Sequence, residues 1–272
     1  MQSALSLRLD ELLDWFSDKD SVIVAFSGGV DSTLLAKVAH LTLKDKTVAV
    51  TADSPSLPRE ELEEAKELAH KIGIRHLVIK THELENPDYA KNLPDRCYYC
   101  KKELFVELKS LAVELGIATI VDGTNSDDLK GHRPGARAEV DEGIRRPFAE
   151  LGFRKEAIRE LSRNLGLPTA DKPSMACLSS RFAYGQMITL SGLSKVEKAE
   201  KFVKQITGVR QLRIRNHGEI ARIEVAREEM AKLFDSKITA KIDTELKALG
   251  FTYVTIDLAG YSTGSMNRTI RK

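Results

Sequence analysis

The sequence predicts an α/β protein: a Rossmann-like doubly wound parallel sheet followed by a smaller C-terminal α+β domain. Three observations predict it. Short runs rich in β-branched residues alternate with helical periodicity through the first two-thirds of the chain; a glycine-rich turn follows the first run; and the pattern changes beyond a proline-marked stretch, 167–182. With 272 residues, 42% of them apolar, the chain has material for two buried cores.

In chain order, "SVIVAF" (21–26), "TVAVTAD" (47–53), "HLVIKTH" (76–82) and "TIVDG" (119–123) read as buried parallel strands. Between them "STLLAKVAHLTL", "REELEEAKELAHKIG" and "CYYCKKELFVELKSLAVELG" place apolar residues at helical spacing, and "FRKEAIRELSRNLG" adds a further helix. Such βαβ alternation puts ligands at the carboxyl ends of the strands, near the point where strand order reverses. Beyond the boundary come helix "LSKVEKAEKFVKQI", strands "VRQLRIRNH" and "IARIEVA", helices within 227–249 and a last strand "YVTIDLAG". The expected division is residues 1–168, residues 185–272 and a joining segment 169–184 that carries a cysteine.

The N-terminus lacks a basic-then-apolar signal pattern, and no stretch holds eighteen uninterrupted apolar residues, so a cytoplasmic protein without a membrane partner is expected. The net charge of +2 hides an asymmetry: 24 basic and 29 acidic residues up to Leu167, then 18 and 11 beyond it. The basic C-terminal part suits an anionic partner. It does not interleave aromatic with basic residues as single-strand binders do, which argues against nucleic acid.

The strongest chemical signal is "AFSGGVDST" (25–33), between the first strand and the first following helix. Exposed amides and the helix dipole there favour an anion; Gly28 and Gly29 let backbone approach phosphate, and Ser27 and Ser32 can donate to its oxygens. The Walker lysine and the dinucleotide spacing are both missing. Asp31 would repel phosphate unless a cation intervenes, which argues for Mg²⁺ bridging it to the pyrophosphate part of ATP. Asp127 and Asp128 are further candidate cation ligands, or caps of a surface turn.

There are three cysteines: Cys97 and Cys100 in a C-x-x-C pair, and Cys177 far away. The spacing suits a metal or cluster clip, a redox disulfide, or thiols packed on a helix. Structural zinc normally takes four protein ligands, and no fourth suitable residue is evident. Arg213 and Arg215 alternate in "LRIRNH", so on a strand their guanidinium groups share a face suited to a phosphate monoester, with Arg181 a third candidate; pairing of Arg213 and Arg215 with Glu219 and Glu224 is the competing expectation.

"SGGVDS" after a strand resembles the signature of the PP-loop ATP pyrophosphatases. Together with "TADSPSLPREELEEA", "GTNSDDLKGHRPG", "KPSMACLSSRF", "LRIRNHGEIARIE" and "GYSTGSMN", it resembles the LarE-type sulfur transferases of nickel-pincer nucleotide synthesis, almost end to end. The resemblance implies that ATP adenylates a carboxylate of a pyridinium biscarboxylate mononucleotide and that sulfur then displaces AMP. It implies ATP contacts from Ser27, Gly28, Gly29, Asp31 and Ser32, with Ala52 near the adenine and Gly123 and Asn125 on the opposite wall. In the single-cysteine pattern of that family the residue at Cys177 gives up its own sulfur. The added Cys97 and Cys100 match a 4Fe-4S cluster held by three cysteines and fed by sulfide or another sulfur donor, with sacrificial donation by Cys177 itself as the alternative. A homo-oligomer is the expected assembly, and a PP-loop tRNA thiolase is the alternative function.

Overall fold

The computed structural model describes residues 4–130, 134–174 and 176–266. Of the quoted motifs, Gly131, His132, Arg133, Met175 and Asn267 lie outside the described residues. The elements run α1 (Ala4–Ser17), β1 (Val22–Ala25), α2 (Val30–Leu43), β2 (Thr47–Asp53), α3 (Arg59–Ile72), β3 (Arg75–Lys80), α4 (Pro87–Ala90), α5 (Arg96–Leu115), β4 (Thr119–Val121), α6 (Pro134–Asp141), α7 (Pro147–Glu150) and α8 (Lys155–Asn164). There follow α9 (Leu190–Thr207), β5 (Leu212–His217), β6 (Ile220–Val225), α10 (Ser236–Ala248) and β7 (Tyr253–Ile256).

The chain falls into two compact units, Met1–Glu83 with Cys97–Met175 and Leu84–Arg96 with Ala176–Lys272. In the first, four parallel strands stand in the order β3-β2-β1-β4, with Val22 in register with Thr47 on one side and Thr119 on the other. All four β1 residues are buried, and their alternation divides the core. Val22 and Val24 face a cluster with Leu12, Leu34, Leu35, Leu68 and Ile158, contributed by α1, α2, α3 and α8. Ile23 faces the opposite cluster with Val48, Val50, Phe105, Leu108 and Ala138, which α5 and α6 cover. Helices therefore lie on both faces, as the strand pattern requires. The order reverses at β1, whose neighbours are β2 and β4, so the loops leaving β1 and β4 flank the switch-point crevice.

In the second unit β5 and β6 form a hairpin through Gly218, whose φ of 74° suits glycine, and β7 adds in parallel after α10. Its core gathers Val203, Leu212, Ile214, Ile223, Leu246 and Phe251. Residues 84–96 belong here because their hydrogen bonds go to the segment after Ala176. The Tyr89 hydroxyl bonds Ser179 Oγ at 2.6 Å, and the buried Asn92 donates to the Ala183 carbonyl at 2.7 Å and accepts from the Gly185 amide at 3.0 Å. Sequence periodicity carries no trace of this excursion, because long-range loop contacts have no local period.

α7 is fastened by one carboxylate. Glu150 accepts from Arg145 Nε at 2.9 Å, from the Arg146 amide at 2.9 Å and from Trp15 Nε1 at 3.0 Å. The Arg145 guanidinium, ahead of burial, sets its pKa and holds it down to about 2 from 4.5. A depressed carboxylate stabilises above its unfolded pKa, and that stabilisation disappears as the pH falls through the folded value. Glu150→Gln should lower stability by a constant amount above about pH 4.5, and the gap to wild type should close between about pH 4.5 and pH 2. Urea denaturation across that range measures it; a gap independent of pH would contradict the assignment.

Candidate active site

The chain leaves β1 through Phe26, whose amide bonds the Val50 carbonyl at 2.8 Å, and turns sharply at Gly28, where φ is 69°. A β-carbon there would strain the backbone and meet Ala65 Cβ at 3.2 Å. The loop is then wound on its hydroxyls. Ser32 Oγ accepts from the Ser27 amide at 3.2 Å and donates to the Gly29 carbonyl at 3.2 Å, and Ser27 Oγ lies 3.1 Å from it. Gly29, the N-cap of α2, has no side chain to satisfy the first-turn amides. The result is a rigid turn that offers backbone N–H groups to an anion.

The opposite wall is the loop after β4. A β-carbon on Gly123 would approach Ser32 N at 3.1 Å and Asp31 Cβ at 3.2 Å, so glycine is what allows this loop to lie against the first turn of α2. Buried Asn125 donates to Asp31 Oδ1 at 3.2 Å and organises its own turn, its Oδ1 accepting from the Asp127 amide at 2.9 Å. Ala52, half-buried near the end of β2, lies in register with Ile79 on the adjacent edge strand. Ser27, Gly28, Gly29, Asp31, Ser32, Gly123 and Asn125 are thus gathered at one end of the sheet.

Asp127 is engaged elsewhere. Its Oδ2 accepts from the Lys155 amide at 3.0 Å and its Oδ1 from Lys130 at 2.9 Å, and the Lys155 amide, then the Lys130 ammonium, hold its carboxyl below the ordinary value. It caps α8, whose own N-cap residue Arg154 makes no side-chain bond. Asp128 Oδ2 accepts from the Asn125 amide at 3.2 Å, closing the same turn.

Three lysines at this site are not among the candidate residues read from the sequence, although Lys172 opens the quoted "KPSMACLSSRF". Lys155 forms an ion pair with Asp31. Lys172 donates to the Gly28 carbonyl at 3.3 Å, Glu61 at 2.7 Å and Glu64 at 2.9 Å, tying the loop to α3. Lys101 pairs with Glu139 and lies 3.2 Å from Asp122, fastening α5 to the end of β4. Burial, the largest influence, would raise the pKa of Asp122, but the Lys101 ammonium and the hydrogen bonds from Thr124 together hold the carboxyl below its usual range.

Cys97 and Cys100 stand at the start of α5, Cys97 exposed and Cys100 half-buried. They belong to the first unit and Cys177 to the second. Among the described residues, no three His, Cys, Asp or Glu side chains are gathered so as to hold a metal ion.

Cys177 precedes a short 3₁₀ turn (Leu178–Arg181) that is anchored by Arg181. The fully buried guanidinium grips both oxygens of Glu200 at 2.9 Å and donates to the carbonyls of Ala176 at 2.6 Å and Cys177 at 2.9 Å. Arg215 pairs with Glu224 at 2.7 Å, and Ser265 Oγ lies 3.1 Å from each partner. Arg213 donates to the Leu212 carbonyl at 2.6 Å and lies over the Tyr261 ring. Burial first, then the neighbouring Arg181, lower its pKa.

Comparison with known proteins now has a geometry to explain. The NAD synthase family matches residues 9–91, the strands and helices around the glycine loop. An uncharacterised protein of Synechocystis is 44% identical over 98% of this chain and 100% of its own length. A tRNA-specific 2-thiouridylase of Rickettsia prowazekii is 28% identical over 56% of this chain and 53% of its own. The pyridinium-3,5-bisthiocarboxylic acid mononucleotide synthase of Lactiplantibacillus plantarum is 35% identical over 99% of this chain and 97% of its own. With that identity sustained from end to end across both units, the chain belongs to the LarE-type family of PP-loop enzymes.

Proposed function

We propose that the protein is an ATP-dependent sulfur transferase acting on pyridinium-3,5-biscarboxylate mononucleotide. The observation that carries the reading is the hydroxyl-wound glycine loop beside Gly123 and Asn125, in a chain that also fixes a cysteine by its backbone at Arg181. A free carboxylate resists attack by sulfur because oxide is a poor leaving group. Transfer of AMP from ATP converts it to an acyl-adenylate, and the pyrophosphate released is stabilised by the amides of the first α2 turn. Thiolate sulfur then attacks the acyl carbon, and AMP departs with the electron pair of the broken C–O bond.

Mg²⁺ fits Asp31, because that ion is commonly held by one carboxylate with phosphate oxygens and water; bound there it would offset the charge of the pyrophosphate. Asp127, which caps α8, is a weaker candidate for the same ion. For the substrate phosphate the candidates are Arg213 with Arg181 and Arg215, of which Arg181 and Arg215 hold Glu200 and Glu224 and also serve by fixing the frame.

Sulfur delivery has two readings. Thiolates of Cys97, Cys100 and Cys177 are the donor set of a three-cysteine 4Fe-4S cluster, with sulfide as the external donor. In the second, Cys177 surrenders its own sulfur by β-elimination and becomes dehydroalanine.

Three outcomes are expected. With Mg²⁺ and the carboxylated mononucleotide, ATP should yield AMP and pyrophosphate, and Asp31→Ala should reduce the rate by about a hundredfold or more, as loss of a charge-stabilising group does; release of ADP and orthophosphate would contradict the assignment. Arg213→Ala should weaken mononucleotide binding by about tenfold and leave ATP binding unchanged, both read by calorimetry. Intact-protein mass after turnover separates the two sulfur routes: loss of one H₂S at Cys177 marks self-sacrifice, whereas unchanged mass, bound iron and inactivity of Cys97→Ser mark the cluster.

A further inference from the structure

The peptide between Gly28 and Gly29 has a glycine on each side, so side-chain sterics do little to hold its plane. Its neighbours are held by the sheet and by α2. The Phe26 carbonyl accepts from Thr51 Oγ1 at 2.7 Å, and the Gly29 carbonyl accepts from the Thr33 amide at 2.9 Å and from Ser32 Oγ at 3.2 Å. The Gly28 carbonyl instead accepts from a lysine 144 residues away, Lys172, at 3.3 Å. On the other edge of the same plane, the Gly29 amide makes a long bond of 3.4 Å to Ser27 Oγ. Lys172 is itself fixed at both ends. Its amide donates to the Thr169 carbonyl at 3.0 Å, and its carbonyl accepts from Arg159 of α8 at 3.0 Å. Its ammonium carries three protons and meets three acceptors, the Gly28 carbonyl, Glu61 at 2.7 Å and Glu64 at 2.9 Å. Two carboxylates thus offset the charge of a side chain that is only 12% exposed. A group placed to attract an anion would not be surrounded in this way; what Lys172 supplies is position.

We infer that Lys172 is a positioning residue that keeps the Gly28–Gly29 peptide from turning over. In a planar trans peptide the carbonyl and the N–H point in opposite directions. Holding the Gly28 carbonyl toward the glutamates of α3 therefore aims the Gly29 N–H the other way, to the side of the loop's own hydroxyls. Turning the plane over would carry φ at Gly29 from −79° into the positive region, which glycine tolerates. A carbonyl oxygen would then stand where an incoming anion otherwise meets an amide, and attraction would become repulsion. Lys172 touches no ligand in this role, no covalent bond changes and no proton moves. The inference rests on the ATP-pyrophosphatase reading, since that reading assigns an anion to this loop.

Two measurements on the full-length protein test this. The first needs no ligand: with glycine labelled by nitrogen-15, the Gly29 amide, identified by its loss in Gly29→Ala, should show microsecond-to-millisecond exchange in Lys172→Met and none in wild type. The second titrates inorganic pyrophosphate by calorimetry. Lys172→Met should bind it about tenfold more weakly than wild type, as loss of one well-aimed hydrogen bond does. Gly29→Ala supplies the discriminating background, because alanine accepts φ of −79°, with its β-carbon 3.4 Å from Ser27 Oγ, but resists the turned-over state. There the cost of Lys172→Met should shrink to within about twofold, and any direct effect of the methyl group on binding cancels from the comparison. Where Gly29→Ala binds too weakly to titrate, the amide measurement decides alone. Lys172→Gln, shorter and withdrawn from the loop, carries the same expectations where the methionine variant does not fold. A static Gly29 amide in the Lys172 variant would overturn the inference. So would an undiminished tenfold cost in the alanine background, the signature of a charge acting on the ligand or of a merely structural role. Failure of wild type itself to bind pyrophosphate would instead overturn the function beneath it, and the inference with it.

Discussion

The first unit is organised around one close approach: the loop after β4 lies against the first turn of α2 with no side chain between them. Gly123 makes this contact, because any β-carbon would press on Ser32 N and Asp31 Cβ at 3.1 and 3.2 Å. Backbone that near backbone leaves amides, carboxylates and carboxamides to satisfy one another in a small volume. Asn125 thereby reaches Asp31, and Asp127 becomes free to cap α8. The parallel sheet sets the distance, since β1 and β4 are hydrogen-bonded neighbours in register from Val22↔Thr119 onward. Two loops leaving adjacent strands have little room to diverge, and small residues at their bases remove the rest.

The second unit solves a different problem, how to hold a cysteine at a chosen place without enclosing its sulfur. Arg181 does this through carbonyl oxygens, gripping Ala176 and Cys177 by their backbone while Glu200 neutralises its charge. A fully buried guanidinium pays heavily for leaving water, and removal of one partner from such a pair costs about 3–5 kcal/mol. Its retention is understandable where position matters more than stability. The Glu200 carboxylate also accepts from the Ile214 amide at 2.9 Å, so the pair fastens α9 to β5 as well.

Electrostatics in the first unit follow the same economy. Lys101 joins α5 to the loop after β4 and to α6, Lys155 joins α8 to the first turn of α2, and Lys172 joins the glycine loop to α3. Exposed pairs of this kind contribute little to stability, but pairs shielded from solvent hold geometry. Lys172 is the clearest case: only 12% of its side chain is exposed, and it bridges Gly28 to two glutamates of α3. The conformation of the loop is thus fixed from both sides.

The sequence by itself determined the architecture. β-branched runs at 21–26, 47–53, 76–82 and 119–123 became four parallel strands, the expectation of burial holding for β1 and most of β2 but not for β3, an edge strand with no buried residue, and "SGGVDS" marked its turn because few sequences tolerate φ of 69° ahead of a helix. The same locality explains what was hidden. Lys155 and Lys172 lie 124 and 144 residues from Asp31 and Gly28, and the partners of residues 84–96 lie beyond Ala176; no local pattern encodes pairings across such separations. Tertiary structure alone decided that Arg181 turns to Glu200, that Arg215 turns to Glu224 and that Asp127 caps a helix. A charged side chain advertises its charge in the sequence, but which opposite charge it meets is settled only when packing excludes water and leaves one partner within reach.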